Sequence, residues 1–434
     1  KKAENIKRGI QLLKASKGRM NLGIAFPLAK RVVEALREKT GSKKIEWAGS
    51  LRRMRENIGD IDILATGPNR EKIIHAFTHL PDVREILASG ETKASVIVEG
   101  GVQIDLRVVE EDSYGAALQY FTGSKGHNIH LRGIAKAKGI KINEYGIFRG
   151  EKKIGGKEEL DVYKALGMDW IEPELREDRG EIEAAQKKQL PKLVEELEIK
   201  GDLHIHSKWS DGTASIEEIA KAAQKRGYLY VALCDHSKSL RIAHGLDETR
   251  VLKQIEEIDR INEKLKGFQI LKGTEVDILT DGKIDHPDKV LERLDYVVAA
   301  VHSGFKQEKE KMTKRIVRAL ENPLVHSLAH PTGRLLGARA PYEVDLDEVM
   351  EAAKKHGKAL EINATLERLD LDDLHCKKAK EMGIRLVLGT DSHHMDQLWM
   401  ISLGVGVARR GWLESSDLLN TLSLKEILNW CHRR

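Results

Sequence analysis

The chain has 434 residues, 41% hydrophobic and 32% charged, enough apolar material for about two to four packed domains and too much for a disordered chain. No run approaches the roughly 18 uninterrupted apolar residues of a membrane-spanning helix, and no signal peptide is visible, so the expectation is a cytoplasmic protein with no membrane partner. Three cysteines, Cys234, Cys376 and Cys431, lie far apart without framework spacing, which fits a reducing compartment, and a net charge of +5 permits nucleic acid as a partner.

The chain opens on Lys1, not Met, and runs directly into an amphipathic stretch, so a truncated form is expected. Residues 24–39, I-A-F-P-L-A-K-R-V-V-E-A-L-R-E-K, place apolar positions near the 3.6 spacing of a helix.

The first chemical centre is Ile45 to Leu64, I-E-W-A-G-S-L-R-R-M-R-E-N-I-G-D-I-D-I-L. Gly49 and Ser50 open a turn whose backbone N–H groups can approach a phosphate, and Arg52, Arg53 and Arg55 follow closely. Asp60 and Asp62 alternate on a predicted strand, so both carboxylates face the same way. Neighbouring carboxylates repel unless a divalent cation lies between them. Exposed alternation on an edge strand would explain D-I-D alone, but Val102-Gln-Ile-Asp105-Leu-Arg-Val adds a third acid in a similar setting and favours metal binding.

Further on, Tyr120-Phe-Thr-Gly-Ser-Lys-Gly-His-Asn128 leads to Arg132 and then to Lys141-Ile-Asn-Glu-Tyr-Gly146. The G-S…G-D-I-D…I-D pattern resembles a nucleotidyltransferase palm, and the Y-F-T-G string resembles the thumb of a family X DNA polymerase. The resemblance implies a fingers remnant at 1–18, a palm at 19–115 and a small α+β thumb at 116–178. It implies that Asp60, Asp62 and Asp105 are catalytic and hold two Mg²⁺ ions, one activating the primer 3′-hydroxyl and the other holding the triphosphate. Tyr120, Phe121 and Gly123 would lie against the incoming sugar, Asn128 would contact the base in the minor groove, and Arg132 would face template DNA. Gly49, Ser50 and Arg53 correspond to triphosphate contacts, and Arg19 joins them on spacing alone. Lys125 stands where the vertebrate repair enzyme of the family has an acidic residue, so no base contact is carried over to it. Residues 171–200 are highly charged and contain Pro173 and Pro191; the expectation is a linker over 179–200 with a solvated helix and no chemistry.

From Gly201 onward, apolar runs end in His, Asp or Glu and precede amphipathic segments. G-D-L-H-I-H carries His204 and His206 two apart on one strand, with Asp211 in the loop beyond. An isolated H-x-H is more often a surface pair than a ligand pair. Here Tyr230 to His236, Phe268 to Glu275, Tyr296 to His302, Leu324 to His330, Ala359 to Asn363 and Ile384 to His393 repeat the pattern. Buried strands alternating with helices predict a parallel β/α barrel, whose active site gathers at strand C-termini. Imidazoles and carboxylates together suit Zn, Mn or Fe, and a shared carboxylate can hold two ions for phosphoester hydrolysis. Arg334 and Arg339, after His330, read equally well as a phosphate grip or a solvated loop.

H-I-H-S with Asp211, C-D-H-S, G-T-E, V-H-S, A-H-P and D-S-H together resemble a PHP (polymerase and histidinol phosphatase) domain over 201–434. That resemblance implies a distorted (β/α)7 barrel with three divalent ions, Mn²⁺ and/or Zn²⁺. His204, His206, Glu275 and Asp391 would surround one, with Glu275 shared with His302 and His330 at a second. Asp211, His236 and His393 would hold the third.

A palm and thumb followed by a PHP domain resembles the bacterial and archaeal family X DNA polymerases. It implies a monomeric, nucleoid-associated DNA repair protein that uses dNTPs to fill gaps in primer-template DNA and removes 3′-terminal nucleotides. Helix-hairpin-helix elements of that family have no visible counterpart, so weak binding of gapped DNA is expected. A histidinol-phosphatase-like enzyme with a vestigial palm and a non-catalytic DNA-binding scaffold are the competing readings. Phosphomonoesterase rates far above DNA hydrolysis would favour the first; a folded protein that binds no metal would favour the second.

Overall fold

The computed structural model describes residues 19–432; the expected fingers remnant at 1–18 lies outside them. The chain divides into two compact units, one ending at Pro191 and one beginning at Lys192.

In the first unit, α1 (Leu22–Thr40) starts where the Asn21 side chain accepts a hydrogen bond from the Gly23 amide at 2.7 Å and stops at Gly41, in the left-handed region with φ 75°. Its apolar stripe, including Leu28, Val32 and Leu36, is buried. A five-stranded sheet follows, built from β1 (Ile45–Trp47), β2 (Ile61–Ala65), β3 (Val83–Ser89), β4 (Lys93–Val98) and β5 (Val102–Val108) in the order β1-β2-β5-β4-β3. Strands β2 and β5 are parallel, with Asp62 in register with Asp105, whereas the other neighbours are antiparallel. That register sets two carboxylates side by side on one face. Beyond the sheet, α2 (Tyr114–Thr122) and α3 (Lys125–Ala137) precede a three-stranded antiparallel sheet, Lys141–Asn143, Gly146–Arg149 and Lys152–Gly155, and α4 (Glu159–Leu166).

The charged stretch after α4 differs from the solvated linker expected there. Arg176 is fully buried, donating to the Ile171 carbonyl at 2.9 Å and pairing with Glu159. Glu181, also fully buried, meets His127 Nδ1 at 2.6 Å, and the short helix Glu181–Gln186 buries Ile182 and Ala185. Arg176 and Glu181 thus have their charges met by Glu159 and His127 inside the first unit, so polarity does not mark their part of the chain as a spacer.

The second unit holds seven parallel strands in sequence order: β6 (Gly201–Ile205), β7 (Tyr230–Leu233), β8 (Gln269–Asp277), β9 (Tyr296–Ala300), β10 (Ser327–Leu328), β11 (Ala359–Asn363) and β12 (Leu386–Gly389). A parallel bridge between Ile205 and Ser392 brings the last strand back to the first, with the His206 amide donating to the Ser392 carbonyl at 3.0 Å. The result is the (β/α)7 barrel. Helices of strong amphipathicity cover it, such as Ile216–Lys225, which opens on a reciprocal capping box between Ser215 and Glu218. Every residue of β6, β7, β9, β11 and β12 is buried, as expected of strands packed on both sides. Leu203, Tyr230, Leu271, Tyr296 and Val387 pack with Ile427 and Cys431 of the helix Leu424–Cys431 into one apolar cluster. All three cysteines are buried and unpaired. No helix among the described residues is long and apolar enough to cross a membrane.

Candidate functional site

Two groups of side chains gather, one in each unit. In the first, oxygens of Asp60, Asp62 and Asp105 lie within 4.8 Å of one another. Asp62 and Asp105 are brought together by strand register, and Asp60 precedes β2. The Ser95 hydroxyl, from β4, donates to Asp105 and holds its carboxylate. Burial, then the charges of Asp60 and Asp105, push the Asp62 carboxyl up to about 6, against the opposing charges of Arg107 and Lys93. Three converging carboxylates with this unrelieved repulsion fit a divalent cation. Gly49 has φ +65°, and a Cβ there would stand 2.8 Å from Asp62 Oδ2. Only glycine turns the Gly49–Arg52 segment this closely against the acids.

Arg53 donates from Nε to Glu177 at 3.0 Å and from Nη1 to the Thr122 carbonyl at 2.7 Å. Arg52 instead forms a two-pronged pair with Glu159 at 2.8 and 3.0 Å. Ser50 is half-buried beside Gly49, and Arg19 is exposed just before Met20–Asn21, which pairs with Asn57–Ile58 ahead of Asp60. Tyr120, Phe121, Gly123, Asn128 and Arg132 form one cluster where α2 meets α3. The Asn128 amide donates to the carbonyls of Tyr120 and Gly123 at 2.7 and 3.1 Å, so it holds the turn in this structure. Arg132 donates to the Asn128 carbonyl and lies over the Tyr120 ring at 6.0 Å, and Phe121 packs edge-on to Tyr120 with Arg107 4.9 Å over its own ring. Lys125 is exposed.

In the barrel, Glu275 on β8 is central. Its Oε2 lies 3.6 Å from His204 Nε2, 3.7 Å from His206 Nε2 and 2.8 Å from His236 Nδ1. Its Oε1 faces the other way, 3.2 Å from His302 Nε2 and 3.0 Å from His330 Nε2. One carboxylate thus presents an oxygen to each of two histidine groups, the geometry a bridging ligand needs. Asp391 Oδ1 approaches His206 Nε2 at 3.0 Å and His204 Nε2 at 3.8 Å, while Asp211 Oδ1 lies 3.7 Å from His236 Nε2 and 3.2 Å from His393 Nε2. All nine residues expected from the sequence are therefore brought to one end of the barrel, the C-terminal ends of its strands.

Partners behind them aim their lone pairs inward. Glu361 on β11 accepts from His204 Nδ1 at 2.6 Å, Asp277 faces His302 Nδ1 at 3.2 Å, and the Asp391 carbonyl faces His393 Nδ1 at 2.9 Å. In each ring the other nitrogen is the one that faces the cluster. His204 Nε2, His206 Nε2 and Glu275 Oε2 are buried without a hydrogen-bond donor or acceptor in proper geometry. Unsatisfied buried atoms of this kind are costly, and converging imidazole and carboxylate donors fit divalent metal ions. The electrostatics are correspondingly divided. Burial opposes the charging of His204 and His302, yet Glu361 and Glu275 lift His204 well above the imidazole range, and Glu275 lifts His302 to about 10. Burial, joined by His393 and His236, pushes His206 down to about 4. His330 and Asp391 adopt left-handed backbone angles, φ 27° and 51°, unusual for residues with side chains and found where a site demands them.

Glu361, Asp277 and Arg368 were not singled out from the sequence. A glutamate inside the apolar run A-L-E-I-N was the available signal for Glu361. Arg334 is turned toward the backbone, donating to the carbonyls of Arg368 and Leu369, which fits neither a free phosphate grip nor a solvated loop. Arg368 holds the position facing the cluster, its Nε 3.7 Å from Asp391 Oδ2 and its Nη1 buried without a hydrogen-bond partner.

The sequence matches two family models, the DNA polymerase beta thumb over residues 117–177 and the PHP domain over residues 202–365. It is 43% identical over 414 residues to the DNA polymerase/3′-5′ exonuclease PolX of Bacillus subtilis, covering 94% of this chain and 72% of that protein. The chain belongs to the family X DNA polymerases with a PHP domain. The family's barrel half is also similar to smaller proteins. A "Probable phosphatase" of Thermoanaerobacter sp. is 32% identical over 232 residues, 51% of this chain and 89% of that protein. Another, from Caldanaerobacter subterraneus, is 33% identical over 203 residues, 44% of this chain and 75% of that protein. Membership in the family X group accounts for an acidic triad and a histidine-rich barrel in one chain.

Proposed function

We propose that the protein is a DNA repair enzyme in which the first unit polymerises and the barrel removes 3′-terminal nucleotides. The observation that carries this reading is that one chain with this family membership assembles both clusters, the acidic triad and the Glu275-centred histidine group. Asp60, Asp62 and Asp105 hold Mg²⁺, and the nine barrel residues hold three ions, Mn²⁺ and/or Zn²⁺. Bound there, such ions supply activation of the attacking hydroxyl or water and neutralise charge on the phosphate oxygens.

The chain's own groups do the rest. Gly49, Ser50 and Arg53 bind the triphosphate, with Arg19 beside them, and the Glu177 contact sets the direction of the Arg53 guanidinium. Tyr120, Phe121 and Gly123 shape the floor for the sugar; Asn128 exchanges its turn bonds for the base edge, and Arg132 faces the template. In the barrel, Glu361, Asp277 and the Asp391 carbonyl keep the ligand imidazoles oriented, and the Arg368 cation binds phosphate next to Asp391. The partners are gapped or primer-template DNA and dNTPs, and the working form is a cytoplasmic, nucleoid-associated monomer.

A 5′-labelled primer on a gapped template with Mn²⁺ tests the reading. Shortening without dNTPs and lengthening with them is the expected result; neither change would sink it. The similarity of the barrel to the "Probable phosphatase" sequences favours a second reading, a histidinol-phosphatase-like small-molecule enzyme with a vestigial palm. Under that reading, phosphomonoesters are hydrolysed at rates far above DNA.

A further inference from the structure

Beside the barrel cluster is an aromatic–cation pair that metal chemistry does not require. Phe305 lies three residues beyond His302 in the loop after β9, and the Arg339 guanidinium stacks over its ring at 4.1 Å from the centroid. Arg339 is held flat there by donating from Nε to the Gly333 carbonyl at 2.9 Å. Tyr342, buried and donating to the Pro331 carbonyl at 2.7 Å, packs near-parallel to Phe305 at 6.3 Å and supports the pair from behind. Phe305 and Arg339 remain partly open to solvent, and Ser303, Gly304 and Lys306 around them are exposed.

The pair stands at the ligand end of the barrel: Phe305 follows His302 by three residues, and Gly333, whose carbonyl holds Arg339, follows His330 by three. Two guanidinium groups therefore serve that end, Arg368 beside Asp391 and Arg339 on the Phe305 ring. Hydrolysis of a small phosphate ester needs only the first of them. A planar guanidinium backed by an aromatic ring suits a nucleotide, whose base stacks on such a plane irrespective of sequence.

We propose that the Phe305–Arg339 stack holds the base of the 3′-terminal nucleotide and makes the barrel site select nucleic-acid ends over small phosphate esters. The inference rests on the exonuclease reading given above.

The 434-residue chain with Mn²⁺ is given 5′-labelled single strands ending at the 3′ side in a normal nucleotide or in an abasic one. The native protein is expected to favour the base-bearing end by about tenfold in kcat/KM, a ratio in the range of one stacked base. Phe305→Leu keeps the apolar bulk but loses the ring and should bring the ratio near one, whereas Phe305→Trp should retain it. A second readout needs no turnover: in EDTA, a 3′-terminal 2-aminopurine should be quenched less by Phe305→Leu than by the native protein. A ratio unchanged in Phe305→Leu, or a native protein indifferent to the base, would overturn the stacking role while leaving the exonuclease intact. A native protein that shortens neither strand yet hydrolyses phosphomonoesters would overturn the exonuclease reading itself.

Discussion

Glu361 Oε1 accepts a hydrogen bond from His204 Nδ1 at 2.6 Å, while Oε2 of the same carboxylate accepts one from the His330 backbone amide at 2.7 Å. A residue outside the nine proposed ligands thus orients one of them and positions another. Space confirms how closely this is built: a Cβ on Gly389, at the end of β12, would stand 2.2 Å from Glu361 Oε1 and 2.6 Å from His204 Cβ.

Glu361→Gln should therefore weaken barrel metal binding without removing a ligand. Losing the carboxylate behind a ligating imidazole typically costs about 10- to 100-fold in metal affinity. Titration with Mn²⁺ or Zn²⁺ followed by elemental analysis reads this directly, and primer extension by the first unit should persist.

The two reactions should separate by substitution. Asp60→Ala is expected to abolish extension and spare 3′-end removal, and His204→Ala to do the reverse. Gel assays of both variants, with circular dichroism to confirm folding, decide the matter. Loss of both reactions in either folded variant would contradict two independent sites.

Gly49→Ala should slow extension through backbone geometry. At φ +65° a Cβ costs roughly 1 kcal/mol, and its 2.8 Å approach to Asp62 Oδ2 displaces that carboxylate. Extension rate should fall about tenfold or more, a 1.4 kcal/mol effect on the barrier, with a shift of only a few degrees in Tm.

The first unit should carry an acid-sensitive lock at Glu159. Burial alone would raise its pKa, but Arg176 and Arg52 hold the carboxyl down at about 2, against 4.5 for the free group. A depressed folded pKa means the stabilisation is complete above about pH 4.5 and drains away as pH falls toward 2. Glu159→Gln leaves the buried Arg176 without its countercharge and should cost about 3 to 5 kcal/mol at neutral pH. Urea unfolding at a series of pH values should show a flatter acid limb in the variant than in the native protein.

The acidic triad and the histidines and carboxylates at or just beyond the barrel strand ends were legible in the sequence as candidates, because a strand has a period of two and a parallel barrel aligns its strand ends. The full set of nine, with Asp211 in a loop beyond its strand, came from the resemblance to a PHP domain rather than from spacing. Only the tertiary structure decided which groups stand behind them and which charges are hidden. His204 meets Glu361 across 157 residues, and His127 meets Glu181 across 54. A charged side chain reads the same in sequence whether water or a buried partner solvates it. The charged stretch 171–200 therefore gave no sign that Arg176 and Glu181 are buried, and Arg334 read equally as a phosphate grip or a solvated loop, until packing supplied the carboxylate, the imidazole and the backbone carbonyls that take up their charge.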